Sequence, residues 1–447
     1  MIKVEEFDAK FNPFEIYNLF KDEVNSIFLD SSKEDENLSK FSFIGINPFL
    51  IFESIGNRAF INKKEIEGEP FTVLENLINK YKFEDKEYRH IPLISGAIGY
   101  ISYDTGRIIE KLPNTSKEDF DLKDMKFVFY NNIIIFDLIN KKQYITSLNG
   151  NDEEIKFILS KIKDAKRIDD ENIIDSNKEF ISNFKKEEYI DAIKKLKDYI
   201  KNGDVYIANL TQRFYTETDC ESFEIYKRLR SINKAPFSVF ANFDDFQIIS
   251  SSPERLIEVK DRKVITRPIK GTRPRGKNSE EDLKNSLELL NSEKDKAELL
   301  MVVDLERNDL SKVCKPHTVK VTELFKLETY ATVFHLVSTV EGVLKDNISA
   351  VKCIRECFPG GSITGTPKIR AMEIIEELEC LKRNIYTGAI GYFDFRGNAD
   401  FNIVIRTIIK KNNKAYFGVG GGITYDSIEE DEYNETLDKA KALMRVL

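Results

Sequence analysis

The sequence predicts an α+β fold built on antiparallel sheets. Runs rich in β-branched and aromatic residues recur between turns, and helical stripes fall among them irregularly rather than in strict βαβ alternation. The chain has 447 residues, too many for one small core, which suits two or three domain-sized units or one large composite fold.

Early in the chain, Ser26-Ile27-Phe28-Leu29, Phe41-Ser42-Phe43-Ile44-Gly45, Phe127-Val128-Phe129-Tyr130 and Ile133-Ile134-Ile135-Phe136 have strand composition. Gly96-Ala97-Ile98-Gly99-Tyr100-Ile101 reads as a strand whose glycines allow close backbone packing. Residues 163–180 are charged and aperiodic; this candidate linker divides an N-terminal region, 1–165, from a catalytic region, 181–447. Beyond it, Tyr189, Ile190, Ile193, Leu196 and Ile200 form a helical stripe over 187–201, ended by Gly203. Ser292-Glu293-Lys294-Asp295 has the spacing of a capping box and opens a helix through Asp304. A further helix follows Pro367, with Ile369, Met372, Ile375 and Leu378 as its buried stripe, and the last follows Ser427. No internal repeat or low-complexity segment is visible.

The formal net charge of -8 argues against nucleic-acid binding, which needs surplus Lys and Arg. Five scattered cysteines without a C-x-x-C pair indicate neither a disulfide framework nor a zinc site. No apolar run approaches membrane-spanning length and the N-terminus has no signal-like apolar stretch, so a cytoplasmic location with no membrane partner is the expectation.

Lys270, in Thr266-Arg267-Pro268-Ile269-Lys270-Gly271-Thr272-Arg273-Pro274-Arg275-Gly276, is delivered by a β-branched stretch into a basic turn. Cationic neighbours disfavour an ammonium, which would make Lys270 a nucleophile near neutral pH; the plainer alternative is a solvated or anion-binding turn. Asp295 and Glu298 share a helix face, as do Glu432, Glu435 and Lys439. Clustered carboxylates suit Mg²⁺, although acids in a first helical turn also serve the macrodipole and solubility. Ser362 and Thr364 lie in the glycine-rich run 358–368, whose free N–H groups would attract an anion. Gly420, Gly421 and Gly422 follow a strand and let a ligand approach the backbone. Arg406, in the β-forming run 401–408, is either a sheet-surface residue or a fork for a carboxylate. His335 sits mid-strand, where a satisfied core role competes with a functional one.

Together the runs SSPERL, RPIKGTRPRG, DLERNDL, FPGGSITGTPKIRAMEII, YTGAIGYFDF and NIVIRTI resemble the chorismate-utilising enzymes, closely over residues 185–447 and more loosely before. The resemblance implies two large antiparallel sheets packed face to face and flanked by helices. It implies Mg²⁺ ligands at Glu298, Glu432 and Glu435, with Asp295 at a further position, and substrate contacts at Arg406, Tyr386, His335, Ser362, Thr364, Gly420, Gly421, Gly422 and Lys439. Glu254 resembles the general acid for departure of the C4 hydroxyl. Within the family, PIKGT resembles the aminodeoxychorismate synthases, where the matching lysine adds to C2; anthranilate synthases carry alanine there. Ile207 stands where isochorismate and salicylate synthases place a water-activating lysine, and Leu299 where anthranilate synthases place histidine; aminodeoxychorismate synthases often have glutamine and asparagine at these two sites. Chorismate and ammonia are the implied substrates, a separate glutamine amidotransferase the implied ammonia source, and a separate aminodeoxychorismate lyase the implied next enzyme. Leu29, Asp30 and Ser31 resemble the family's tryptophan pocket.

Overall fold

A computed structural model describes residues 2–32, 38–168, 178–329 and 333–447. Residues 169–177, the middle of the expected linker, lie outside the described residues. Among those described, every named strand joins one hydrogen-bonded network with antiparallel ladders.

The network has two halves. One runs Ile207–Glu217, Lys414–Ile423, Thr407–Lys411, Gln247–Ser252, Phe237–Asn242 and Ser26–Asp30. The other runs Gly96–Ile101, Ala389–Asp394, Ala399–Ile403, Arg255–Lys260, Lys263–Arg267 and Val333–Val343; Ile269–Pro274 and Lys320–Thr329 flank the last of these. Two long strands, Phe41–Ile55 and Met125–Asp137, belong to both halves. Residues 43–45 pair with Ser26–Asp30 and residues 125–129 with Gly96–Ile101, and the ladder joining the long strands shifts register between Pro48 and Leu50. The expected face-to-face sheets are therefore present, as two halves of one curled sheet.

Side-chain alternation builds three layers of core from this. Ile27, Val239 and Ile248 from one half meet Ile98, Val128 and Ile390 from the other in a central core. Their neighbours Phe28, Phe240 and Ile249 face outward against helices Pro13–Tyr17, Ser222–Ile232 and Glu429–Arg445. Phe127 and Phe129 likewise face outward, in a core shared with helices Pro70–Lys80, Glu293–Val313 and Ala350–Cys357. The close packing expected at Gly99 is real: a Cβ there would lie 1.9 Å from the Lys126 carbonyl oxygen, and Gly99 pairs with Gly391 across the ladder. The helical stripe after the linker spans Lys186–Lys201, and Gly203 beyond it has φ +83°. Among the described residues no helix is long and apolar enough to cross a membrane.

Candidate active site

Lys270 is the second residue of Ile269–Pro274, where the pairing with Val333–Val343 shifts between Lys270 and Thr272 and Gly271 takes φ +72°. The bulge turns the lysine out of the ladder, and its Nζ donates to the Ser362 carbonyl at 3.2 Å. A Cβ on Gly422 would stand 3.5 Å from that nitrogen and 3.0 Å from Ile207, so the bare backbone keeps the amine approachable. The cationic setting expected from the sequence does not form. Arg267 turns to Glu328 at 2.6 Å, Arg273 to Glu288 at 2.8 Å, and Arg275 holds Asp282 through two bonds of 2.7 Å. Lys270 instead acts electrostatically on three carboxylates, Glu254, Glu298 and Glu435.

Two helices bring the acids together. Ser292 caps Glu293–Val313, its hydroxyl accepting from the Asp295 N–H at 3.2 Å. Glu298, one turn on, is raised above the usual carboxylate range by burial and by Asp295 and Glu432, against the pull of Lys270 and Lys294. From the C-terminal helix Glu429–Arg445, Glu432 is also raised by burial, although Ser427 donates to it at 2.6 Å. Burial raises Glu435 too, but Lys439, Lys270 and Lys294 outweigh it and the net shift is downward. Lys439 bridges Glu435 at 2.5 Å and the Gly420 carbonyl at 3.0 Å. The glycines are themselves the end of strand Lys414–Ile423 rather than a loop after it; a Cβ on Gly421 would lie 3.3 Å from Glu432 and 3.5 Å from Glu435.

Lys294 went unnoticed in the sequence, although its i,i+4 spacing to Glu298 could have revealed it. Its ammonium stands 4.0 Å from Glu298 and 3.9 Å from Glu432, joining the two helices. Among the described residues no group of three or more acids, histidines or cysteines is gathered tightly enough to hold a metal; lysines hold the carboxylates in pairs. The carboxylate oxygens of Glu298, Glu432 and Glu435 are nonetheless the donor type a hard cation takes, and the Lys294 ammonium already reaches two of these groups. Asp295, expected beside them, is committed to Arg273 at 3.1 Å.

Arg406 departs from the strand expected of its run. It lies in the gap between Ala399–Ile403 and Thr407–Lys411 with φ +53°, a left-handed conformation uncommon outside glycine. Burial lowers its guanidinium below its ordinary value, opposed by Tyr386 and Glu435, and its Nη1 donates to the Lys439 carbonyl at 2.6 Å. Tyr386, its phenol raised by burial, lies against Gly418, where a Cβ would come within 2.3 Å of the ring.

Glu254 sits between Gln247–Ser252 and Arg255–Lys260, almost wholly buried. Burial pushes its carboxyl up; the nearby Ser362 hydroxyl and Lys270 pull it back. That hydroxyl is not aligned as a hydrogen bond: the Glu254 Oε1 and the Ser362 Oγ are both buried without a partner. Thr364 spends its hydroxyl on the Gly360 carbonyl at 2.9 Å, a structural use. His335 is half-buried and shares a 3.0 Å hydrogen bond with Thr272, two residues beyond Lys270. A buried pair that sequence reading missed, Arg383 and Glu379, braces these segments: Arg383 donates to the Ile363 and Asn209 carbonyls, and Glu379 accepts from Thr211 N–H at 2.9 Å.

Leu29, Asp30 and Ser31 belong elsewhere. They line a separate cavity of about 440 Å³ between the sheet halves, with Phe41, Phe237 and Tyr392. Asp30 accepts from Tyr226 at 2.9 Å and Arg230 at 2.6 Å through Oδ2, while its buried Oδ1 has no hydrogen-bond partner.

A family model described as chorismate binding enzyme matches residues 25–445. The chain is 37% identical to anthranilate synthase component 1 of Acetivibrio thermocellus, an alignment covering 100% of this chain and 94% of the relative. It is 36% identical to aminodeoxychorismate synthase component 1 of Escherichia coli K12, covering 94% and 93%. Among solved structures, anthranilate synthase component I of Streptococcus pneumoniae TIGR4 superposes with a TM-score of 0.81 at 32% identity, covering 92% of this chain and 94% of that one.

Proposed function

Because the chain belongs to the chorismate-binding enzyme family, we propose that it aminates chorismate at C4, giving 4-amino-4-deoxychorismate for p-aminobenzoate and folate synthesis. The observation that carries this reading is the Lys270 amine, set beside the bare backbone of Gly422 and facing Glu254, Glu298 and Glu435. In the proposed sequence Glu254 gives its proton to the departing C4 hydroxyl, which leaves as water, while the Lys270 amine adds at C2. Ammonia then attacks C4 and expels the amine. Covalent capture splits one difficult substitution into two allylic steps, and a carboxyl raised by burial suits an acid that must still hold a proton. Arg406 and Tyr386 would hold one substrate carboxylate, and the Gly420–Gly422 backbone with Lys439 would border another. Glu298, Glu432 and Glu435 would hold Mg²⁺, whose charge would neutralise a bound carboxylate. A glutamine amidotransferase subunit would supply the ammonia, and a separate lyase would consume the product. Free tryptophan is the ligand we propose for the second cavity, which Leu29, Asp30 and Ser31 line; calorimetry that detects no tryptophan binding removes this.

A second reading, anthranilate synthase component I, is favoured by the relative of that name aligned over the whole chain. Incubating the purified chain with chorismate, Mg²⁺ and an ammonium salt at alkaline pH, with and without added lyase, separates the two. Mass spectrometry should find aminodeoxychorismate, converted to p-aminobenzoate only with lyase. Anthranilate appearing directly would overturn the proposal.

A further inference from the structure

Glu306 lies on helix Glu293–Val313 about two turns beyond Glu298, and it is buried. Its two carboxyl oxygens reach two different segments. Oε1 accepts from the Gly361 N–H at 3.0 Å, and Oε2 from the Thr266 hydroxyl at 3.4 Å. Thr266 is on the strand that runs into Lys270, and Gly361 precedes Ser362, whose carbonyl receives the Lys270 amine. The helix crosses this turn so closely that a Cβ on Gly361 would lie 2.7 Å from Leu305 and 3.0 Å from Glu306 Oε1.

A carboxyl in such a place is costly, because burial penalises its charge and among the described residues no cation is bonded to it. The charged groups facing it are Asp309 on its own helix, Lys368 at the start of helix Lys368–Leu378, and Glu254. Lys368 is spent on Asp309 and on the carbonyls of Cys357 and Pro359. Burial, with Asp309 and Glu254 adding to it, pushes Glu306 up to about 7. Packing alone would be served by an apolar side chain of the same size.

We propose that Glu306 is a positioning residue of the chorismate site, tying the strand that delivers Lys270 to the turn that delivers Ser362 and so fixing where the lysine amine stands. The proposal rests on the reading of Lys270 given above. Its role is that of an acceptor, so glutamine, which keeps an oxygen for the Gly361 N–H, replaces it, and methionine does not.

The test is steady-state turnover counted as loss of chorismate, whichever product forms. Glu306→Met should lower kcat about tenfold or more with the KM for chorismate within about threefold of wild type, and Glu306→Gln should restore kcat to within about threefold. A Glu306→Met enzyme with wild-type kcat, or a Glu306→Gln enzyme as impaired as Glu306→Met, overturns the proposal. If Glu306→Met does not fold, Thr266→Val carries the test, with a several-fold lower kcat expected and an unchanged one overturning it. Lys270→Ala in the same assay separates the two failures. Aminodeoxychorismate formed there at the wild-type rate, by mass spectrometry, sinks the amination mechanism, whereas its loss in Lys270→Ala beside an unimpaired Glu306→Met sinks the positioning role alone.

Discussion

Replacing Lys294 with methionine should tighten Mg²⁺ binding rather than weaken it. The ammonium lies 4.0 Å from Glu298 and 3.9 Å from Glu432, two of the three proposed ligands, and a divalent ion must displace it to reach both. Unscreened, each contact at that distance is worth about 1 kcal/mol in water and about 4 kcal/mol at an effective dielectric of 20. The Lys294 side chain is 54% exposed, so solvent screening brings each pair down to roughly 0.2–1 kcal/mol. Two such pairs amount to ~0.5–2 kcal/mol, and their removal should tighten Mg²⁺ by about 2- to 30-fold. Isothermal calorimetry of Mg²⁺ into the substrate-free protein reads the effect without turnover, and raising the salt concentration should shrink the difference. An unchanged or weaker affinity in Lys294→Met would refute the idea that the lysine holds the cation's place.

Lys270→Ala should cost at least about 10³-fold in aminodeoxychorismate formation, roughly 4 kcal/mol of barrier, by mass-spectrometric product analysis; unchanged product and rate would remove the covalent route. Glu306→Gln should gain thermal stability over wild type as pH rises. The folded carboxyl is raised from 4.5 to about 7, so its favourable contribution is full below pH 4.5 and lost as pH climbs through 7. The gap should widen by up to ~3 kcal/mol between pH 4.5 and 8; parallel melting curves at both pH values would contradict it. Gly99→Ala should destabilise by ~3 kcal/mol or more, because its Cβ would collide with the Lys126 carbonyl at 1.9 Å, and a denaturant midpoint like wild type would disprove the contact.

Strand identity was legible wherever local alternation matched the layer: Phe127, Val128 and Phe129 take outer, central and outer faces in turn, as a period of two requires. The start of the helix opened by Ser292 was legible from its cap, and that helix simply runs further than expected, to Val313. Electrostatics was not. Arg267, Arg273 and Arg275 are Lys270's neighbours in sequence, but strand alternation and the bulge send them to carboxylates on other elements, while Glu254, Glu298 and Glu435 come from three other parts of the fold. Arg406 misled for a related reason: composition favoured a continuous strand, whereas the residue takes a positive φ between two strands and donates to the Lys439 carbonyl on the C-terminal helix. Ile369, expected in a buried stripe, is 44% exposed, because the face of that helix which packs inward is set by Ala371, Met372 and Ile375. The pairing of Glu298 with Glu432 and Glu435 came from resemblance alone, since no local pattern joins two helices over a hundred residues apart.

The two long strands that run through both sheet halves bear on how the protein is made. Ser26–Asp30 covers one edge of Phe237–Asn242, and Gly96–Ile101 covers one edge of Ala389–Asp394. Cutting the chain near residue 180 would strip both covers and leave two open, largely apolar strand edges, each a template for intermolecular pairing. A fragment holding every proposed catalytic group should therefore aggregate rather than work, and co-expressing the two pieces should rescue it. During synthesis the early strands must wait for partners made hundreds of residues later, which predicts slow folding that leans on chaperones.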